Sequence, residues 1–294
     1  PRYVHKFKDM IVLNGGGHFE IQEHNFEEEF GPRRVKGQKF LRRHFDIAHS
    51  LQAVLEDTVL YLSDWLHEVT QEENLCMAGN VALNCVMNGR LREKGPFKNI
   101  WIQPAAGDAG TALGAALWID SIKRKPQGRK YVMEDVFLGP GFSDEEIEKI
   151  LIWSKVPYRL MKDIARETVD LLLKDQVLGW FQGRMEFGPR ALGGRSILAS
   201  PLHVQMQQRL NEIKDREDFR PVAPVILEEE APKWFKNSMV SPFMLFVFDV
   251  LPEKASLIPA VCHVDGTARV QTIRLDQNPR YYEVIQEFQR RTGV

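Results

Sequence analysis

The chain has 294 residues, 44% of them hydrophobic, and this length and composition predict a large core shared by about two domains. The 39 Lys and Arg residues nearly balance the 40 Asp and Glu residues. A balanced charge excludes a global field that would draw the protein to nucleic acid or to a membrane surface. Any anion site must therefore be local.

The sequence predicts a cytoplasmic protein. No apolar run approaches the roughly 20 residues of a spanning helix, and the first residues lack the apolar core of a signal peptide. Cys76, Cys85 and Cys262 are widely spaced, which predicts buried thiols in a reducing compartment rather than disulfides.

Both ends predict a fragment of a longer protein. The chain opens at Pro1 rather than at a methionine. At the other end, a helix pattern and Gly293 are followed by Val294, which we interpret as the first residue of a strand.

The first segments predict a hairpin and a long helix. "MIVLNGGGHFEI" gives two strands around a glycine turn; no helix or Lys-Ser/Thr pair follows, so a turn is favoured over a phosphate loop. Apolar residues recur at helical spacing from Phe45 to Thr70. His44, His49 and His67 fit surface or capping positions better than metal ligands.

Two strand–turn–helix patterns follow. The first runs from Asn74 to Leu91; the second has a strand at Ile100–Gln103, a turn to Asp108 and a helix at Ala109–Ile119. Such turns offer free backbone N–H groups to an anion or nucleotide. From spacing alone, Asp108 is equally compatible with a helix N-cap and with a metal or phosphate site.

The second half predicts an α+β region after a linker at Ser121–Asp135, which is charged and lacks periodicity. A helix follows, with Ser143 and Glu146 as a capping box. Further helices are predicted in "IARETVDLLLKDQ" and "PLHVQMQQRLNEIKDRE", and strands in "VLGWFQG", "VAPVILEE" and "FMLFVFDV". "CHVDGTARVQTIRL" predicts one more strand or a hairpin.

Cations cluster three times in this half, beside glycines and short apolar segments. The clusters are Arg184, Arg190 and Arg195; Lys214, Arg216 and Arg220; and Arg269 with His263 and Asp265. Arginines in such settings favour capture of phosphate or carboxylate. The alternative is structural pairing with nearby carboxylates such as Glu186, Glu217 and Asp265.

Five motifs carry a resemblance over nearly the whole chain: "MAGNVALNCVMNGRL", "IQPAAGDAGTALGAAL", "WFQGRMEFGPRALGGRSIL", "IKDREDFRPVAP" and "HVDGTARVQT". The sequence resembles the O-carbamoyltransferases of nodulation and antibiotic tailoring. The resemblance implies that residues 1–122 are part of an actin/Hsp70/sugar-kinase-like domain, similar to the threonylcarbamoyl-transfer protein. It implies a linker at 123–134 and a YrdC-like α+β domain at 135–294, incomplete at its end.

The resemblance also implies the chemistry. The second domain makes carbamoyl-adenylate from carbamoyl phosphate and ATP, with release of pyrophosphate. The first domain, with a divalent metal (iron or magnesium), passes the carbamoyl group to the hydroxyl of a small acceptor of the sugar, antibiotic or Nod-factor type. Membrane and nucleic-acid partners are not expected, and a homodimer is left open.

Residue by residue, the resemblance assigns the catalytic handling of carbamoyl phosphate to Lys214, Arg220 and Arg269. It places Arg190, Arg195 and Ser196 at the phosphates of ATP or the adenylate, and makes Asp108 a metal ligand. It assigns the nucleotide seat of the first domain to Gly79, Asn84, Gly107 and Gly110. Because carbamoyl phosphate decomposes readily in water, we also expect a closed pocket lined by Trp180, Phe187 and Phe219.

Three departures from the family pattern qualify the assignment. Asn80 stands where the family has a second glycine; the family's metal-binding histidines fall upstream of Pro1, and an Asn-Thr-Ser-Phe-Asn segment falls after Val294. We therefore expect weak activity or none from the chain by itself. A tRNA-modifying relative and a non-catalytic anion- or nucleotide-binding fragment stay open, as do a general-base and a structural role for His263.

Overall fold

The structure is a computed structural model that describes residues 1–124 and 132–294. Two compact units divide the chain: the first comprises Pro1–Met77 and Val86–Ile102, the second Ala78–Cys85 and Gln103–Val294. Helices mix with two-stranded sheets, in agreement with the mixed α/β and α+β class predicted. The domain boundaries implied by the resemblance stay a prediction.

The first unit opens with the predicted hairpin between two short helices. Its elements are α1 (Val4–Met10), β1 (Ile11–Gly15), β2 (His18–Ile21) and α2 (Phe26–Phe30). β1 and β2 pair antiparallel. The helix α3 (Arg42–Thr70) confirms the long helix, and the backbone N–H of Leu41 donates to His44 Nδ1 at its start. Phe7, Met10, Phe30 and Val54 form the core of this unit.

A strand–helix–strand passage follows, as predicted. β3 (Asn74–Met77) and β4 (Asn99–Ile102) pair in parallel, and α4 (Cys85–Lys94) lies between them in sequence. The predicted helix around Val81 is broken in two, because a 3₁₀ turn at Asn80–Leu83 precedes α4. Parallel pairing requires such a crossover connection.

The second unit holds the remaining elements. Its helices are α5 (Asp108–Arg124), α6 (Asp144–Trp153), α7 (Ile164–Leu172), α8 (Gln205–Ile213), α9 (Pro252–Ala255) and α10 (Pro279–Thr292), with a 3₁₀ turn at Glu228–Lys233. Its strands are β5 (Leu178–Phe181), β6 (Arg195–Leu198), β7 (Val225–Leu227), β8 (Val247–Asp249), β9 (Thr267–Arg269) and β10 (Gln271–Ile273). The Ser143–Glu146 capping box is present.

The core of this unit lies where α7 and α10 pack against strands. Its buried residues are Val169, Leu172, Trp180, Leu198, Leu227, Ile273, Tyr281, Val284 and Phe288. β5 pairs antiparallel with β6, and β10 pairs parallel with β7. Gly193 lies against the ring of Tyr281: at φ +107, a Cβ there would approach the ring to 2.3 Å, so only glycine fits.

Several predicted boundaries were wrong. β9 and β10 are not a hairpin, because β9 pairs with β8 while β10 pairs with β7. The predicted helix from Pro201 is confined to Gln205–Ile213, since Asp215 adopts φ +46 and ends the turn. α5 continues to Arg124, into the segment predicted as a linker; residues 125–131 of that segment lie outside the described residues.

The cysteines form no disulfide, as predicted, but Cys76 is exposed rather than buried. Cys85 and Cys262 are half-buried. In the part of the chain that the structure describes, no helix combines the length and the apolar character that crossing a membrane requires.

Candidate anion-binding site

A cavity of about 410 Å³ opens in the second unit and has cations in its wall. Arg190, Lys214, Arg216 and Arg269 line it, together with Ser196. Apolar lining comes from residues that include Leu198, Met206, Leu210, Trp234 and Ile258. Glu230, a carboxylate in the described lining, is 2.7 Å from Lys233 and so is already paired.

Arg190 is held in a glycine-rich loop at the cavity wall. Its Nη2 donates to the carbonyl oxygen of Leu83 at 3.1 Å. Its Nε is buried and has no hydrogen-bond partner among the described residues. Burial and then the positive charge of Arg269 lower the pKa of Arg190. A half-buried guanidinium with an unused buried donor favours an anionic ligand.

Arg269 is the cation whose charge acts on each of the other three. It is the last residue of β9 and lies opposite Val247 of β8, so the sheet fixes its backbone. Its Nε is also buried without a partner in the described ranges. Its charge contributes to the lowered pKa of Arg190, Lys214 and Arg216. Arg269 is therefore close enough to each of the other three cations to repel it.

Lys214 and Arg216 enter the cavity from the end of α8. The backbone of Lys214 closes the helix by donating to Leu210, and its side chain is largely open to solvent. Partial burial of the ammonium group, then Arg216 and Arg269, lower the pKa of Lys214. Arg216 Nε donates to Asn211 Oδ1 at 2.5 Å, an amide that holds the side chain without neutralising its charge.

Arg195 and Arg184 have structural contacts instead. Arg195 donates to the carbonyls of Gln182, Gly183 and Gly194, and its guanidinium lies 3.5 Å from the centre of the Phe181 ring. Arg184 donates to the carbonyls of Leu138 and Gly139. Neither lines the cavity, whereas Ser196 does.

The alternative of structural ion pairs holds in part. Arg220 is exposed, with its Nε 2.6 Å from Glu217, and does not line the cavity. Glu186, by contrast, accepts from the backbone N–H groups of Leu192, Gly194 and Arg195 rather than from a cation. Asp265 accepts from Thr267.

The predicted aromatic lining was wrong. Trp180 is buried in the core, where its Nε1 donates to the carbonyl of Gly193 at 2.9 Å, and Phe219 is exposed. Neither they nor Phe187 line the cavity. The strand β5 directs Trp180 towards α10, so the apolar surface comes from aliphatic residues and from other aromatic residues, among them Trp234, Phe235 and Phe288.

Within the second unit, the turns that follow β3 and β4 in sequence come together. The backbone N–H of Gly79 donates to the carbonyl of Ala106 at 2.8 Å. A Cβ on Gly107 would lie 2.3 Å from Asn80 Oδ1, so the Asn80 side chain occupies the space that Gly107 leaves. Gly79 itself, at φ +96, has open space beside it, and Asn84 follows directly after the 3₁₀ turn.

Asp108 begins α5 and is exposed. Among the described residues, no group of three or more His, Cys, Asp or Glu side chains is placed to hold a metal ion. These residues alone therefore do not fit a complete metal site. The role of Asp108 as a ligand stays a prediction.

The geometry thus selects part of the predicted set. It brings Arg190, Ser196, Lys214 and Arg269 together and leaves Arg195 and Arg220 outside the cavity. Arg216 belongs to the second cluster of cations in the sequence, but the family resemblance assigns it no role; its position between Lys214 and Arg220 is the signal that indicates one. A cationic, partly apolar cavity suits a small phosphate ester or acyl phosphate.

Two family models of known proteins match this chain, one in each half. The family model described as Carbamoyltransferase N-terminus matches residues 4–117, and the model described as Carbamoyltransferase C-terminus matches residues 169–294. The second match contains all four cations of the cavity.

Individual proteins are also similar to this chain over most of its length. An uncharacterized protein of Synechocystis sp. is 43% identical over 332 aligned positions, covering 98% of this chain and 54% of that relative. The nodulation protein NolO of Bradyrhizobium diazoefficiens is 42% identical, over 89% of this chain and 49% of the relative. Nodulation protein U of Rhizobium tropici is 37% identical, over 84% and 41%.

The chain spans about half the length of these curated relatives. Both parts of the family are nevertheless matched in order along one polypeptide, with relatives similar across most of it. The chain belongs to the carbamoyltransferase family.

Proposed function

We propose that the protein is an ATP-dependent O-carbamoyltransferase, with an actin-like first domain and a YrdC-like second domain. The second domain converts carbamoyl phosphate and ATP to carbamoyl-adenylate. Atom balance requires one water and releases both phosphate and pyrophosphate. The first domain then transfers the carbamoyl group from the adenylate to an acceptor hydroxyl, which loses its proton while AMP leaves. The names of the nodulation relatives favour an acceptor of the Nod-factor or related sugar type.

The observation that carries this proposal is the convergence of Arg190, Lys214, Arg216 and Arg269 on one cavity. Adenylate formation brings two polyanions together, so their repulsion and the charge of the transition state must be offset by fixed cations. Burial, and in addition repulsion by Arg269, lowers the pKa of Arg190, Lys214 and Arg216. A bound phosphate relieves that repulsion, which favours binding in the free protein.

Titration calorimetry with carbamoyl phosphate tests the site, beside Lys214→Ala and Arg269→Ala. Each variant removes a charge-assisted contact of about 1.5–3 kcal/mol, so we expect at least a roughly ten-fold weaker affinity. Arg209→Ala is the matched control, because Arg209 also belongs to α8 but donates to the carbonyl of Asp175 outside the cavity lining.

Arg220→Ala separates the two assignments. The family resemblance gives Arg220 a contact with carbamoyl phosphate, whereas its ion pair with Glu217 predicts little change. Unaltered affinity in both Lys214→Ala and Arg269→Ala would contradict the carbamoyl phosphate site.

A further inference from the structure

The turn between Val261 and β9 holds a histidine in a fixed position. The backbone N–H of His263 donates to the carbonyl of Thr267 at 2.7 Å, and that of Gly266 donates to the carbonyl of His263 at 2.9 Å. Gly266 adopts φ +82, which closes the turn. His263 therefore belongs to the rigid end of β9 rather than to a loose loop.

A chain of hydrogen bonds fixes the ring. Thr267 Oγ1 donates to Asp265 Oδ1 at 2.8 Å, and His263 Nδ1 lies 3.0 Å from Thr267 Oγ1. A hydroxyl has one hydrogen, which Asp265 receives, so Thr267 Oγ1 can only accept from the ring. Nδ1 thus carries the proton, and in the neutral ring Nε2 presents a lone pair.

No donor in the described residues forms a hydrogen bond to that lone pair. His263 Nε2 is buried and lacks a hydrogen-bond partner in residues 1–124 and 132–294. Burial lowers the pKa of His263, Asp265 opposes the shift and Arg269 adds to it, so the environment favours the neutral ring, in which Nε2 is an acceptor. Leaving a buried acceptor unsatisfied is unfavourable, which points to a donor supplied from outside.

The position of His263 relates it to the cavity. Side chains two apart on a strand share one face, so Thr267, which holds the ring, and Arg269, which lines the cavity, lie on the same face of β9. The effect of Arg269 on the pKa of His263 is consistent with this proximity. His263 itself is not among the described residues that line the cavity, so its Nε2 is related to the site through the neighbouring side chain of Arg269.

The chemistry of the ligand supplies the missing donor. Arg190, Lys214, Arg216 and Arg269 carry only donors, which match a phosphate but not an amide N–H. Carbamoyl phosphate differs from acetyl phosphate in having an NH₂ group where the latter has a methyl group. An acceptor beside the phosphate cations can distinguish the two.

We infer that His263 Nε2 accepts a hydrogen bond from the NH₂ of the carbamoyl group and selects carbamoyl phosphate over acyl phosphates without that donor. This inference rests on the proposed function. Sites built to pair a polar group reject the isostere that lacks it. His263 is then a specificity-determining residue, positioned by Thr267 and Asp265.

The test compares carbamoyl phosphate, acetyl phosphate and inorganic phosphate by calorimetry on the whole chain. The original protein is expected to prefer carbamoyl over acetyl phosphate by roughly ten-fold. His263→Ala should remove the preference while the affinity for acetyl and inorganic phosphate is kept. Thr267→Val, which frees the ring to rotate and change tautomer, should reduce the preference in part. His203→Ala, at an exposed histidine, should keep it.

The results distinguish failure of the role of His263 from failure of the proposed carbamoyl phosphate site. Equal affinities in the original protein, or a preference that survives in His263→Ala, overturn the role of His263 and leave the phosphate site intact. If His263→Ala fails to fold, a preference undiminished in Thr267→Val overturns it as well. Failure of the original protein to bind either acyl phosphate or inorganic phosphate overturns the proposed function, and this inference with it.

Discussion

At the scale of single residues, buried charge is handled in two opposite ways. Glu186 is 8% exposed, and three backbone N–H groups satisfy its carboxylate. Arg190 and Arg269 instead keep a buried Nε without a partner in the described part of the chain. The first arrangement stabilises a loop, whereas the second reserves donors for a ligand.

Glu186→Gln should destabilise the second unit by about 2 kcal/mol, because an amide places its own donors among backbone donors. Urea denaturation measures this loss. Glu217→Gln is the control: its ion pair with Arg220 is exposed, and such pairs contribute about 0–1 kcal/mol. Equal losses in the two variants would contradict a structural role for the Glu186 carboxylate.

The same carboxylate gives a pH dependence. Burial alone would raise the pKa of Glu186, but the backbone donors bring it below the ordinary value of 4.5. Its contribution to stability is therefore complete above pH 4.5 and decreases as the pH falls towards the lowered folded pKa. Glu186→Gln should lose this part of the acid dependence; an unchanged slope would argue against it.

At the scale of elements, most helices and strands could be predicted, but their ends could not. The spacing of apolar residues predicts α3, α7 and α10, and the capping box predicts α6. The separation of β9 from β10 depends on which strand each one meets in space. No local pattern around Val270 carries that information, so a hairpin was an equally good interpretation.

Two glycines of α5 provide a matched test of close packing. A Cβ on Gly110 would lie 1.9 Å from the carbonyl oxygen of Ala105, whereas Gly114 has nothing within 4 Å. Gly110→Ala should lower the free energy of unfolding by about 1–3 kcal/mol. Gly114→Ala should raise it by about 1 kcal/mol, since alanine favours helix.

Chemical denaturation of both variants decides the matter. Stabilisation by Gly110→Ala would mean that the turn at Ala105 is looser than described. The close approach that α5 makes to this turn would then not require glycine.

At the scale of the whole molecule, the sequence predicts that an anion-binding cavity exists, but not which of the cations line it. Three clusters predicted an anion pocket, and Lys214 and Arg269 line it. Arg195 and Arg220 could not be excluded from sequence. Arg195 is kept out of the cavity lining by hydrogen bonds to backbone carbonyls such as that of Gln182, and Arg220 pairs with Glu217 instead. These partners are brought into place only when the chain folds.

The two units should differ in local stability. The core of the first consists of Phe7, Met10, Phe30 and Val54, which is small beside the α7–α10 core of the second. We expect the amides of α1 and α2 to exchange hydrogen faster than those of α7 and α10. Hydrogen exchange with mass spectrometry measures this, and equal protection would contradict the expectation.

Val270, a single residue, joins β9 to β10, and these strands belong to different sheets. Arg269 precedes it at the cavity, and Gln271, whose Nε2 donates to the carbonyl of Leu192, follows it. A residue added or lost here would force one of the two strands out of register with its partner. The exposed turn at Val264 lies only a few positions away. Divergence among relatives should therefore concentrate insertions at that turn and leave the length of the Arg269–Gln271 passage constant.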